Sequence, residues 1–166
     1  ALKQLAKVPN LPGPKVVFTH LIIPHSPFVF GSDGEKISIP YDAAAGNIYT
    51  WEDSKRGTIA AVTYINKRML EILPKIIQAS ERPPIIVVAA DHGNPWGEYQ
   101  NAVKILAAFF TPGSQSPFYE TITPVNIFRI LFDSYFNGNF GNLPDTSYRF
   151  TEKGRFDFVE YPNTCD

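Results

Sequence analysis

The chain alternates between apolar runs and stretches in which prolines and glycines interrupt any period. Residues 15–23 read Lys-Val-Val-Phe-Thr-His-Leu-Ile-Ile, a nearly continuous apolar run that predicts a strand buried on both faces. Two prolines, Pro24 and Pro27, end it. Residues 29–50 carry Gly, Asp, Ser and Tyr without a period and predict a long loop. From Trp51 to Ala79 the positions Ile59, Val62, Ile65, Met69, Ile72 and Ile76 recur at three and four, one face of a helix. Asp53 or Ser54 is placed to cap its start, and Pro74 to kink or shorten it. Residues 85–90 predict a second buried strand, and 103–110 a third, stopped by Thr111-Pro112-Gly113. Thr123-Pro124 reads as an N-cap with proline at the first helical position, opening a helix to about Phe136. A turn-rich stretch covers 137–145, and 156–161 predicts a short terminal strand. Residues 1–8 look like the end of a helix, and 1–14 form a lead-in segment broken by prolines.

This order of elements predicts an α/β fold, a mostly parallel or mixed sheet flanked by helices in a single domain over 1–166. Strands 15–23 and 85–90, joined through the long helix, suit a right-handed parallel crossover.

Composition narrows the function classes. Aromatic residues are abundant, with 13 Phe, 8 Tyr and 2 Trp, which argues for an ordered core. A net charge of −1 with scattered basic residues gives no electrostatic case for nucleic acid or an anionic membrane surface. The single cysteine, Cys165, excludes an internal disulfide and a multi-cysteine zinc site. No stretch has the length of a membrane span. The start at Ala1, without methionine and within helix-like sequence, is what a piece of a longer protein would show and also what methionine removal would leave.

The chemistry concentrates where the second strand ends, at Asp91-His92-Gly93. A carboxylate and an imidazole are ligands for Zn, Mn or Ca, and open α/β sheets keep their ligands beyond the carboxyl ends of strands. Gly93 is expected to let the chain turn sharply, with positive φ within reach. The bland alternative is a turn in which Asp91 caps and His92 is solvated. His25, between Pro24 and Pro27, also follows a strand. If the two strands are neighbours, His25 and His92 share one rim, and His25 can donate to an anionic substrate oxygen; otherwise it is a surface residue. His20 is expected to be a hydrogen-bonded core histidine. Glu98 reads as a surface charge or a further acidic ligand, and Lys15, Lys104 and Arg129 as optional anion contacts. Thr19 and Thr63 have no special context. Neither a phosphate-binding glycine loop nor a Gly-x-Ser-x-Gly elbow is present.

Taken in order, Pro-His-Ser-Pro-Phe (24–28), a long loop, a helix containing Tyr64-Ile65-Asn66, and an apolar strand running into Ala-Asp-His-Gly (90–93) resemble the C-terminal half of the sulfatase branch of the alkaline-phosphatase superfamily. The nearest likeness is to membrane-anchored sulfatase-like proteins and to lipoteichoic-acid synthase and phosphoethanolamine transferase relatives. It runs from about Lys15 to about Tyr135 and takes in the Pro-Val-Asn-Ile-Phe-Arg-Ile-Leu helix. The resemblance implies that Asp91 and His92 bind a divalent metal (Zn, Mn or Ca) and that His25 contacts the sulfate or phosphate. It also implies a membrane-anchored parent with an extracytoplasmic catalytic domain. The metal would polarise the ester and a Ser, Thr or modified Cys would attack it. That nucleophile and the first acidic ligands belong to an N-terminal half that nothing here matches; no Cys-x-Pro-Ser-Arg occurs, and no histidine follows His92.

The expectation is a fragment supplying half of an active site for sulfate or phosphate ester hydrolysis or transfer, inactive alone. Its partners would be the ester substrate, the missing half of the same protein and, through uncovered apolar surface, a second copy. Two other readings stand beside it. One is a complete small α/β hydrolase with a nucleophile among Ser26, Ser32 or Thr19; the other is a degenerate, non-catalytic domain that keeps the fold for binding.

Overall fold

The computed structural model describes residues 1–39, 49–93, 100–114 and 118–161. The chain divides into two units, 1–83 and 84–166, each built around its own long helix.

In the first unit a short helix α1 (Leu2–Leu5) and a 3-10 turn (Val8–Asn10) precede α2 (Trp51–Ala79), and both pack on it. Thr50 caps α2: its hydroxyl oxygen accepts the Asp53 N–H at 3.0 Å and its O–H donates to the Asp53 carboxylate at 2.8 Å. This reciprocal pair sits one turn earlier than the predicted caps Asp53 and Ser54, and Ser54 is instead buried inside the helix. Pro74 lies within α2, which stays helical to Ala79.

The buried face of α2 follows the predicted stripe at Ile72 and Ile76 and departs from it nearer the helix start. In its N-terminal half Ile59 and Val62 are exposed, while Ser54, Gly57 and Ala61 are buried. Small residues there let residues 22–39 approach closely. A Cβ on Gly57 would lie 2.2 Å from the Phe28 ring, and Phe28, Ile39 and Ala61 form the core with Ile23, Ile37 and Tyr49 against it. Residues 29–37 are not irregular. Val29–Ile37 folds back through Ile37 N–H to Val29 O at 3.2 Å, Gly31 N–H to Glu35 O at 2.8 Å and a bridge between Phe30 and Lys36. This turn is tied to α2 by the Phe30–Tyr64 ring contact and by Lys67 donating to Asp33 at 2.5 Å.

The strand predicted at 15–23 does not form. Those residues pair with no strand among the described residues, and Val16, Val17, Phe18 and Ile22 are exposed. An apolar run signals burial only when a neighbouring strand satisfies its backbone. The parallel crossover drawn from 15–23 to 85–90 is therefore absent among the described residues.

In the second unit β1 (Ile86–Ala89) pairs antiparallel with β2 (Ala107–Phe110), Ile86 opposite Phe110 and Ala89 opposite Ala107. Between them α3 (Gln100–Val103) takes up the start of the segment predicted as strand 103–110. Helix α4 (Pro124–Phe136) covers this sheet: Ile122, Ile127 and Ile130 are buried against Val87, Ile105, Ala107, Phe109 and Phe118. It ends on Asn137 in the left-handed region, φ 53°. A hairpin of β3 (Ser147–Thr151) and β4 (Gly154–Tyr161) closes the unit, with β3 unforeseen and β4 starting two residues before its predicted limit. The structure is thus mixed α/β with two small antiparallel sheets.

Candidate functional site

The β1–β2 ladder continues past its last strand pair. Ala90 N–H donates to Leu106 O at 2.9 Å and Gly93 N–H to Ala102 O at 2.7 Å. The backbone of 91–93 is thereby held against residues 101–106, and Gly93 is pressed hardest. A Cβ there would meet Asn101 O and Lys104 O, each at 2.1 Å. Glycine is required for space at this point; positive φ, expected from the sequence, is not the reason, since the positive-φ glycines among the described residues are 13, 34, 113 and 141.

With 91–93 pinned, the two side chains ahead of Gly93 project outward. The Asp91 and His92 side chains are 91% and 54% exposed, and His92 Nε2 lies 3.9 Å from Asp91 Oδ2. Asp91 Oδ1 accepts the His92 N–H at 3.0 Å. His92 Nδ1 lies 2.6 Å from Gly93 O. A carbonyl only accepts, so Nδ1 carries the proton and Nε2 presents a lone pair when the ring is neutral. Metal-bound histidines use this same device, one ring nitrogen anchored to a carbonyl and the other directed at the ion. Two ligands at zinc bond lengths of 2.0–2.2 Å in tetrahedral geometry stand about 3.4 Å apart. A small rotation of the exposed carboxylate closes the gap from 3.9 Å.

His25 is held in the same way in the first unit. Its N–H donates to Ile22 O at 2.8 Å, closing a turn, and Nδ1 donates to Ser26 O at 2.5 Å. The ring is exposed, on a loop anchored by buried Phe28. To donate to an anion, Nε2 must also be protonated, because Nδ1–H is already used. His25 belongs to unit 1–83 and Asp91 and His92 to unit 84–166.

The remaining candidates resolve individually. His20 is exposed rather than a core histidine, because the strand that would have buried it does not form. Arg129 is occupied structurally, donating to Gly141 O at 2.7 Å and Phe140 O at 2.6 Å with its guanidinium over the Phe140 ring. Lys15 donates to Leu11 O and Gly13 O. The Thr63 hydroxyl donates to Ile59 O inside α2. Glu98 and Cys165 lie outside the described residues. No group of three or more His, Cys, Asp or Glu side chains able to hold a metal occurs among the described residues. A shallow cleft of about 500 Å³ runs between Ser32 and the Trp51, Lys55, Arg56 and Ile59 face of α2, and includes none of the three predicted site residues.

The sequence reading missed a polar cluster whose members are joined by several hydrogen bonds. At the start of α4, Asp145 accepts the Thr123 N–H at 2.7 Å, the Thr123 hydroxyl at 2.6 Å and the Tyr119 hydroxyl at 2.5 Å. Fully buried Asn126 joins it, donating to Tyr119 Oη at 3.1 Å and Leu143 O at 2.8 Å and accepting the Leu143 N–H at 2.9 Å. Burial pushes the Asp145 carboxyl up, but hydrogen bonds from Thr123 and Tyr119 outweigh it and hold its pKa below the ordinary carboxylate value. Burial, with the bond to Asp145, raises the Tyr119 phenol. Every donor is matched inside the cluster, so its role is to lock the 118–123 and 143–146 segments onto α4. Asp145 lies 22 residues from Thr123, a spacing that carries no local sequence signal.

Comparison with family models, with curated proteins and with solved structures finds no match for this chain.

Proposed function

We propose that this chain is part of a metal-dependent enzyme that hydrolyses or transfers sulfate or phosphate esters. In this reading Asp91 and His92 are metal ligands and His25 is an anion contact. The observation that carries it is the strand-end arrangement at 91–93: a carboxylate and an Nε2 lone pair 3.9 Å apart, both exposed, on a backbone pinned where only glycine fits. An ordinary salt-bridged turn has no need of that clamp. The proposal includes the finer fold reading, an alkaline-phosphatase-like domain with a parallel or mixed sheet completed by further sequence. It also includes a membrane-anchored parent; no helix of the described residues is long and apolar enough to cross a membrane.

Two ligands bind a divalent ion weakly. The 166-residue chain is therefore expected to take up Zn or Mn with low affinity and to show negligible esterase activity. The test extends the chain with its natural upstream sequence and measures bound metal together with aryl sulfate and aryl phosphate hydrolysis. Asp91→Ala/His92→Ala should strip the metal and abolish turnover. His25→Ala should retain the metal and raise KM. Metal content unchanged in the double variant would end the metal reading. Full activity of the 166-residue chain alone would show that it is a complete hydrolase rather than half a site.

A further inference from the structure

Helix α4 is apolar on two opposite sides. At about 3.6 residues per turn, Ile127, Ile130 and Leu131 fall on the side that is buried, and Val125, Phe128, Phe132 and Phe136 fall within about a quarter-turn of one another on the other. That second side faces solvent: Phe128 is 53% exposed, Phe132 41%, Phe136 65% and Val125 44%. A helix that is apolar all round is ordinarily covered all round.

A fourth ring joins this stripe from outside the helix. Past the cap at Asn137 the chain turns back, with Gly138 N–H donating to Phe132 O at 3.1 Å. Asp133 then accepts the Phe140 and Gly141 N–H groups, each at 2.9 Å, and Arg129 donates to Phe140 O and Gly141 O. Phe140 is thereby set beside Phe132, ring centres 6.0 Å apart, and is still 54% exposed after Phe132 and the Arg129 guanidinium have covered part of it. Phe132 also meets Phe128 at 6.2 Å and Phe136 at 5.9 Å. The polar groups of this turn thus hold an apolar ring in water, in line with three others.

We propose that the stripe is the interface between two copies of the chain, their α4 helices crossing at a two-fold axis near Phe132. Three observations select a copy over a different partner. The first is charge. The charged residues of α4, Arg129 and Asp133, are opposite in sign and both are engaged with 140–141, so the stripe has nothing with which to recruit a charged partner or repel its twin. The second is shape. Phe128, Phe132 and Phe136 form one i, i+4, i+8 ridge, and two identical ridges of this kind interleave at about −50°, the commonest helix-pair geometry. A two-fold contact closes, so it stops at a dimer. The third is area. Aromatic side chains present about 150–250 Å² each, so at these exposures the four rings supply roughly 430 Å² of apolar surface per copy. Homodimer interfaces are about 65% apolar. With a polar rim in that proportion, which the exposed Asn137 and Asn139 begin, the pair buries about 1,300 Å², within the range of about 1,200–2,000 Å² for stable interfaces. The contact is independent of the metal site.

Sedimentation equilibrium on the 166-residue chain from about 1 to 200 µM tests this. The expected result is a monomer–dimer equilibrium with no higher species. Phe128→Gln/Phe136→Gln keeps good helix formers at two exposed positions and should raise the dimer Kd by about tenfold or more. Phe140→Ser, outside the helix, should weaken the dimer in the same direction, and an unchanged near-ultraviolet spectrum of the diluted monomer shows that neither variant has unfolded. Phe156→Ser removes a ring that is 94% exposed on the β3–β4 hairpin and should leave Kd where it is. A chain that stays monomeric throughout would overturn the proposal, since the stripe would then be covered by the rest of the protein or by a different partner. So would a dimer indifferent to Phe128, Phe136 and Phe140, an equal loss in Phe156→Ser, or open-ended aggregation in place of a dimer.

Discussion

At the scale of single residues, the candidate site depends on Gly93 more than on its neighbours' chemistry. Many turns offer an aspartate beside a histidine. Few hold them on a backbone so close to two carbonyls that one methyl group cannot be admitted. Gly93→Ala is expected to destabilise the second unit by about 1–3 kcal/mol, the usual cost of overpacking, and to swing Asp91 and His92 away from each other. Urea titration checks the first effect and the loss of residual metal affinity the second. Asp91→Ala, on a side chain almost fully in solvent, should change stability by less than about 0.5 kcal/mol. Asp91, His92 and Gly93 were legible as residues in the sequence, but the reason for the glycine was not. Its neighbours, Asn101 and Lys104, arrive only through the return of the chain before β2.

At the scale of elements, legibility tracked local signals. Helix α4 was readable because Thr123-Pro124 punctuates its start and Ile127, Ile130 and Leu131 recur at helical spacing on its buried side. The length of α2 was readable for similar reasons, as was the burial of Ile72 and Ile76, but the buried face of its N-terminal half was not. Ile59 and Val62 advertise a core-facing stripe, yet the face that packs in this half of the helix is Ser54, Gly57 and Ala61, selected by the ring of Phe28. Gly57→Ala should reveal this conflict. Helix propensity favours alanine by about 1 kcal/mol, and collision with Phe28 opposes it by about 1–3 kcal/mol. The substitution is expected to destabilise the protein as it stands and to stabilise it in a Phe28→Ala background, a reversal that a double-mutant cycle measures directly. Strand β3 carries its alternation in plain view, Ser-Tyr-Arg-Phe-Thr before Glu-Lys-Gly, but its signal is masked by the turn-rich stretch that precedes it. The 15–23 run failed in the opposite sense, with strand composition and no partner to make it one.

At the scale of the molecule, the near-zero net charge removes one common cause of pH sensitivity around neutrality, so specific groups govern the acid limb of stability. Asp145 is the leading one in the second unit. Its pKa is lower folded than unfolded, so the stability it contributes is present above the unfolded value of about 4 and is lost as pH falls through the folded value. Asp145→Asn keeps an acceptor for Thr123 but no charge. It should lower stability at neutral pH by about 1–2 kcal/mol and flatten the loss on acidification, as followed by near-ultraviolet circular dichroism. The carbonyl anchors on His25 and His92 reach further than the metal question. Each ring offers an electrophile a single nucleophilic nitrogen, the one remote from the main chain, so acylating reagents should mark both imidazoles at one position and leave a regiochemical record of which side of each ring meets solvent.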